Sequence, residues 1–277
     1  MPELVEVERY RLLAERVVGR RVGEVRVVDP HVLGGKVDPS ELAAALRGRP
    51  VTAARRRGKL LLLDTGGVRS GAPGGPTLGL RFGMTGTLVV DGTPGVDRLR
   101  SAPAPAAGRW ERFRLVFAGR GNGQLVLHDP RRLGRVELDP DEDALGPDAA
   151  TVTLGGLSAA LGAAPGGSGG PRTAPVKARL LDQARLAGVG NLMADEVLWR
   201  AGLSPERPGG SLTGAEVRRL HRHLRATVAA LTAGGGSHTG DLVGERRPGG
   251  RCPRDGAPLV RATVGGRTTW WCPAHKR

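Results

Sequence analysis

The sequence predicts an α+β chain with more than one domain, and three observations carry that expectation. A single leading helix is followed by a run of short strand-patterned segments. The texture then changes to helices between Val176 and Ala233. The final stretch, Arg251–Arg277, reads as a hairpin closed at each end by paired metal-ligand residues. A chain of 277 residues is long enough for two domains.

The leading helix is expected over Glu6–Val18, where Val7, Tyr10, Leu13 with Ala14, and Val17 recur at helical spacing. From Val22 onward the segments VRVVD, KLLLLD, TLVV, RFRLVF, QLVLHD and RVEL fit strands separated by Gly/Pro-rich turns. RFRLVF alternates, with Phe113, Leu115 and Phe117 on one face and Arg112 and Arg114 on the other. Gly162–Pro175 has the composition of a flexible loop. Helices are expected over Val176–Ala187, Leu192–Ala201 and Thr213–Ala233, the first two split by the turn GVGN. Thr213 with Glu216 three residues on forms a capping-box pattern. A second glycine-rich stretch, Gly234–Gly250, leads into the hairpin. No internal repeat is evident.

The formal net charge is +15, and arginine outnumbers lysine 38 to 4. From Gly244 to Arg277, eight Lys/Arg stand against two Asp/Glu, which leaves +6 on that short segment. Such density points to a polyanion, most simply nucleic acid, with a solvated basic face as the plainer alternative. No apolar run approaches the ~20 residues of a membrane span, so no membrane partner is expected. The acidic N-terminal residues do not read as a secretory signal, which makes the reducing cytoplasm the expected compartment. With only eight aromatic residues, the chain lacks the stacking surfaces that single-strand readers use. This argues against an RNA-binding zinc ribbon.

Two short stretches are chemically loaded. Removal of the initiator Met would leave Pro2 with a free secondary amine, and an α-amino pKa of roughly 7.7–8.0 keeps part of it neutral and nucleophilic. Attack of that amine on a sugar C1′ gives an iminium directly, and the adjacent Glu3 could shuttle protons. In the hairpin, Cys252 and Cys272 are the only cysteines, and Asp255 and His275 stand where a second thiol would complete each pair. Both replacements are themselves zinc ligands. Three readings stay open: a structural zinc site with the mixed set Cys252, Asp255, Cys272 and His275; a metal-free hairpin packed around Trp270 and Trp271; and a Cys252–Cys272 disulfide.

Several motifs in one order add a resemblance that covers nearly the whole chain. MPELVEVE, RRGK ending in Lys59, LRFGMTG, HDPRRLG, LLDQARLAGVGNLMADEVLWRAGLSP and GGRTTWWCPAH resemble the signatures of the formamidopyrimidine-DNA glycosylase / endonuclease VIII family of base-excision-repair enzymes. The resemblance implies an N-terminal β-sandwich with a leading helix over 1–146. It implies a helical domain carrying a helix–two-turns–helix motif over 147–243, and a zinc-finger-like β-hairpin over 244–277. It implies a monomeric, bifunctional glycosylase and abasic-site lyase that acts on double-stranded DNA carrying a damaged base or an abasic site. Oxidised or ring-opened bases would be excised through a Schiff base on Pro2, followed by β- and δ-elimination.

The same resemblance implies roles. Pro2 is the nucleophile, Glu3 moves protons, and Lys59 binds the phosphate beside the lesion and assists elimination. Lys177, Asn191 and Arg267 grip the backbone, while Met84, Arg131 and Leu133 fill the gap left by the extruded nucleotide. The chemistry suits these roles. A duplex hides the glycosidic bond, so the base must be flipped out and the hole plugged. A flexible Met and an apolar Leu suit wedging into a stack, and an Arg can hydrogen-bond the orphaned partner base. Backbone N–H groups at GVGN suit a phosphate, as does a guanidinium fork. Cys252-x2-Asp255 and Cys272-x2-His275, sixteen residues apart, keep the family's ligand spacing.

Four departures stand out: Val5 for a second proline, Arg81 for a histidine, Leu133 for a phenylalanine, and a short connection between Gly234 and Cys252. The last replaces a long loop that covers the flipped base in relatives that excise 8-oxoguanine. Ring-opened purines or oxidised pyrimidines are therefore at least equal candidates. The rival expectation is a non-catalytic paralogue that binds damaged DNA on the same scaffold. Retention of Pro2, Glu3 and Lys59 together argues against it.

Overall fold

The protein is described by a computed structural model covering residues 2–69, 74–96, 109–119, 123–163 and 173–275. It separates into two compact units, one built on Glu6–Glu142 and the other on Glu3–Val5 with Asp143–Arg277.

In the first unit, helix α1 (Leu4–Ala14) buries Val7, Tyr10 and Ala14, and its expected continuation tightens into a 3-10 turn over Glu15–Val17. Among the described residues, nine strands follow. They are β1 (Val22–Val27), β2 (Val51–Arg57), β3 (Leu60–Thr65), β4 (Thr77–Arg81), β5 (Thr87–Val90), β6 (Thr93–Pro94), β7 (Glu111–Phe117), β8 (Gln124–His128) and β9 (Arg135–Leu138). They form two sheets, in the orders β1-β7-β8-β5-β6 and β2-β3-β4-β9, and every pairing is antiparallel. One core joins Leu61, Leu63, Leu80 and Val136 of the second sheet to Leu88, Phe113, Leu115, Phe117 and Leu127 of the first. That is the expected sandwich, with inward faces interdigitated.

The alternation read from RFRLVF is realised, since Phe113, Leu115 and Phe117 are buried and Arg112, Arg114 and Val116 are half-buried. The leucine run of β3 is buried throughout, with Leu61 and Leu63 in the core that the two sheets share. Three elements carry weaker sequence signals. Helix α2 (Pro39–Leu46) is opened by Asp38, whose side chain accepts from Ser40 N, with Pro39 in the first turn. Strand β2 carries arginines on both faces, with Arg55 paired to Asp64 and Arg56 to Glu8, and β4 is short and contains Gly79.

The second unit holds helices α3 (Leu154–Leu161), α4 (Val176–Leu181), α5 (Asn191–Ala201) and α6 (Gly214–Ala233), then the hairpin β10 (Val260–Val264) and β11 (Arg267–Trp271). Leu4, Val5, Leu180, Met193, Val197, Leu220 and Leu224 share its core. The capping box at Thr213 and Glu216 forms as expected. The helix expected over Val176–Ala187 stops at Leu181. Asp182 Oδ1 then accepts from Ala184 N at 3.1 Å, and the Gln183 side chain donates to Val189 O at 3.0 Å and accepts from Gly188 N at 2.9 Å. Those side chains satisfy backbone groups that a continuing helix would have used.

The connection after α6 contains two 3-10 turns, Ser237–Thr239 and Val243–Glu245. It is pinned by the buried Glu196, which accepts from Asp241 N at 3.1 Å and Leu242 N at 2.9 Å. Among the described residues, no helix is long and apolar enough to cross a membrane. Most of the glycine-rich segment Gly162–Pro175 lies outside the described residues.

Candidate active site and metal centre

Pro2 is buried, and Met1 lies outside the described residues. Glu3 is fully buried, and its carboxylate takes three backbone N–H groups. Oε1 accepts from Leu192 at 2.8 Å, and Oε2 accepts from Gly190 and Met193 at 3.1 Å each. These donors are the otherwise orphaned N–H groups at the start of α5, so Glu3 caps that helix from far away in sequence and lies at its positive end. Residue 190 must be glycine for this to happen, because a Cβ there would lie 2.2 Å from Glu3 Cδ. The GVGN turn, expected to offer N–H groups to a phosphate, gives its Gly190 N–H to Glu3.

The first unit holds the other expected chemistry. Gly58 (φ +58°) and Lys59 form the two-residue turn between β2 and β3, where Arg57 pairs with Leu60. The ammonium-bearing residue is thus carried at a hairpin apex, half-buried. Arg56 braces the apex by donating to Gly58 O at 2.9 Å, and is itself paired with Glu8 at 2.8 Å.

Met84 lies in the turn after β4 and is half-buried, while Arg131 and Leu133 lie in the loop after β8 and are exposed. Leu133 exposes 43% of its surface. The two neighbouring arginines differ in their commitments. Arg132 forms a two-point pair with Asp29 at 2.6 and 2.9 Å, whereas the Arg131 guanidinium has no hydrogen bond or ion pair among the described residues. Arg81 is held by Glu137 at 3.1 Å, across from β4 to β9.

In the second unit, Lys177 does not face outward as a backbone-gripping lysine would. It is fully buried, its Nζ is 2.7 Å from Asp195 Oδ1, and it donates to Thr269 Oγ1 at 2.7 Å. Burial lowers its pKa, and the charge of Asp195 opposes that shift. Asp195 also pairs with Arg246 at 2.7 Å and accepts from Trp270 N at 3.2 Å. The lysine therefore anchors the hairpin, since an unpaired buried ammonium would be costly. Asn191 is half-buried at the start of α5 and donates from Nδ2 to Thr268 O at 3.0 Å, which leaves its second N–H for another acceptor. Arg267 is exposed at the hairpin tip, directly after the turn Gly265–Gly266 (φ +58° and +71°). Both positive φ values fit the tight turn of a two-residue hairpin.

Cys252 and Cys272 are buried free thiols, so the disulfide alternative is not formed. With Asp255 they bring three donor atoms within 4.8 Å of one another, and Cys272 Sγ lies 3.8 Å from both Asp255 oxygens. Donors about 2.0–2.3 Å from a tetrahedral zinc lie about 3.3–3.8 Å apart, so the trio fits one ion with modest closing. Trp199 Nε1 donates to Cys252 Sγ at 3.3 Å, an outer contact of the kind that orients a metal-bound thiolate. The side chain of His275 lies outside the described residues.

Two family models match the chain: the formamidopyrimidine-DNA glycosylase N-terminal domain over residues 1–136, and the formamidopyrimidine-DNA glycosylase H2TH domain over residues 170–241. A formamidopyrimidine-DNA glycosylase of Geobacillus kaustophilus is 32% identical over the full length of both chains. One from Thermus thermophilus is 36% identical, with 99% of this chain and 97% of that protein covered. The chain belongs to the formamidopyrimidine-DNA glycosylase family.

Among solved members of the formamidopyrimidine-DNA glycosylase family, the Lactococcus lactis protein bound non-covalently to DNA containing an AP site superposes with a TM-score of 0.78. The two share 25% identity and full coverage of each chain. The same protein complexed with DNA containing an oxidised pyrimidine gives 0.76, at the same identity and coverage. Within this glycosylase chain, Gly190, Asp195 and Glu196 hold the second unit's candidate residues and its connection after α6 in place, yet residue-by-residue reading passes over them. The available signal was the pair Asp195–Glu196 inside the apolar run LMADEVLW, because buried carboxylates demand partners.

Proposed function

We propose that this glycosylase excises oxidised or ring-opened bases from duplex DNA and cleaves the resulting abasic site. The observation that carries the reading is the buried carboxylate of Glu3, fixed by three backbone N–H groups at the residue next to the candidate nucleophile. Family membership and the DNA complexes of the Lactococcus lactis relative support the same class of substrate.

In the proposed sequence, the neutral amine of Pro2 attacks C1′ as the C1′–N bond to the base breaks, and the base leaves with a proton. The amine then loses its own proton, the C1′–O4′ bond breaks as O4′ takes up a proton, and the opened sugar is left as the iminium. Glu3 moves protons at the sugar, and removal of a C2′ proton expels the 3′ phosphate. A second elimination expels the 5′ phosphate and leaves a one-nucleotide gap. Lys59 neutralises the phosphate beside the lesion, Asn191 and Arg267 hold the backbone, and Met84, Arg131 and Leu133 fill the gap in the duplex. Lys177 acts from within, through the hairpin that carries Arg267.

Borohydride reduction on a duplex with one abasic site tests the reading. The expected product is a stable covalent adduct whose mass-spectrometric fragments place the DNA on Pro2, and Pro2→Gly is expected to lose most of it while still binding the duplex. Tight binding with no adduct would favour the non-catalytic paralogue instead.

The hairpin's zinc belongs to the same proposal. Cys252, Asp255 and Cys272, with His275 as fourth donor, would hold one structural ion that stiffens the hairpin beneath Arg267. Purified protein is expected to carry close to one equivalent of zinc, measured by elemental analysis. Zinc-free protein with undiminished DNA binding would show that Trp270, Trp271 and the Asp195 network hold the hairpin without metal.

A further inference from the structure

The turn that carries Met84 and the loop that carries Arg131 and Leu133 are separate pieces of chain, yet one buried carboxylate joins them. Asp129 is fully buried at the end of β8. Its Oδ1 accepts from Thr85 Oγ1 at 2.6 Å and from Arg131 N at 3.2 Å. Its Oδ2 accepts from Leu133 N at 2.7 Å and Gly134 N at 2.6 Å. Thr85 is the residue after Met84 and is itself 1% exposed, so the carboxylate reaches both wedge-bearing segments within one residue of each wedge.

The surroundings leave the two segments little freedom to shift independently. A Cβ on Gly83 would lie 2.6 Å from Leu133 C, so the turn and the loop are packed backbone to backbone. Tyr10 donates its hydroxyl to Gly86 O at 3.1 Å and packs against Phe82, with ring centroids 4.4 Å apart. Asp129 is fixed through its own backbone, donating to Trp110 O at 2.8 Å and accepting from Arg112 Nε at 2.8 Å. Arg132, in the left-handed conformation at φ +57°, turns the loop and ties it to Asp29. Around these fixed groups, Arg131 and Leu133 are exposed and Met84 is half-buried.

We infer that Asp129 is the positioning residue of the gap-filling trio. It sets the spacing between the Met84 and Leu133 wedges and the aim of Arg131 at the orphaned base, and so sets opposite-base discrimination. The inference rests on the proposed insertion of those three side chains into the duplex. No group but a carboxylate supplies two oxygens that accept four such bonds, because an asparagine amide would present a donor to Leu133 N–H and Gly134 N–H or to Thr85.

The test compares Asp129→Asn, Thr85→Val and Thr85→Ser with the parent protein. Three readouts are needed: excision from lesion duplexes with each of the four opposite bases, the fluorescence of 2-aminopurine placed opposite the lesion, and adduct trapping on single-stranded DNA with one abasic site. The single strand has no gap to fill, so it reports the Pro2 chemistry alone. Asp129→Asn and Thr85→Val are expected to lower duplex excision about 10- to 100-fold, the scale of a misplaced group near 1 Å. They should flatten the opposite-base ranking and weaken the 2-aminopurine response while single-strand trapping is kept. Thr85→Ser, which retains the hydroxyl, should keep the parent's duplex excision, opposite-base ranking and 2-aminopurine response. A parallel fall of duplex and single-strand activity, or no change in either, would overturn the inference. Failure of the parent protein to trap would instead count against the proposed function.

Discussion

Glu3→Gln is expected to slow strand cleavage at an abasic site by about 10²–10⁴-fold, the range that proton transfer by a positioned group supplies. The same substitution is expected to cost stability. Glu3 accepts three backbone N–H groups from Gly190, Leu192 and Met193, and a glutamine amide must turn a donor toward at least one of them. A buried N–H left without an acceptor costs about 1–3 kcal/mol. Single-turnover cleavage and thermal melting read the two effects separately. Gly190→Ala should reproduce both from the other side, because its Cβ would collide with the Glu3 carboxyl carbon. Cleavage within a few-fold of the parent, with the melting loss present, would leave Glu3 as a helix cap and take it out of proton transfer.

The largest stability effect is expected at Asp195. It is buried, and it pairs with the equally buried Lys177 and with Arg246 while accepting from the backbone of Trp270. Removing one partner from a buried charge network costs about 3–5 kcal/mol. For a chain of this size, Asp195→Asn should therefore lower Tm by roughly 10 °C. The pH dependence has a definite sign. Burial already holds the Lys177 pKa below its ordinary 10.5, and loss of Asp195 lowers it further. The unfolded chain then keeps a proton that the folded one has released, so stability rises with pH in the window beneath 10.5. The defect of Asp195→Asn should shrink as pH approaches that value in denaturation series. A melting loss of 1 kcal/mol or less would mean that water replaces the lost partner and that the network is not closed.

Much of this architecture was legible because it depends on patterns that one strand or helix reveals by itself. The alternation of RFRLVF required a sheet with one inward face, and Thr213 with Glu216 required a helix start. Apolar spacing continues to Leu186 and Ala187, so spacing alone extends helix α4 past its end at Leu181. What ends it is the way Asp182 and Gln183 bond the following turns, and spacing does not encode that. The resemblance implies a Lys177 that faces DNA. A lysine directed outward and one enclosed by Asp195 have the same neighbours in sequence, and only the tertiary pairing separates them. Arg81 in place of the expected histidine reads, in the structure, as half of a cross-strand pair with Glu137. The mixed ligand pairs of the hairpin were legible as donors, and the three whose side chains are described converge.

The cap that Glu3 places on α5 also has a consequence in time. Its partners lie 187 to 190 residues further along the chain. At synthesis rates of about 5–20 residues per second, the ribosome needs roughly 10–40 s to deliver them after Glu3 has emerged. Through that interval the strand-rich unit can fold, but the carboxylate next to Pro2 has no seat. A nascent or truncated chain ending before Gly190 should therefore be unable to cut DNA, however well its first half has folded. The capacity to break a phosphodiester backbone is acquired only when the second half of the message has been translated.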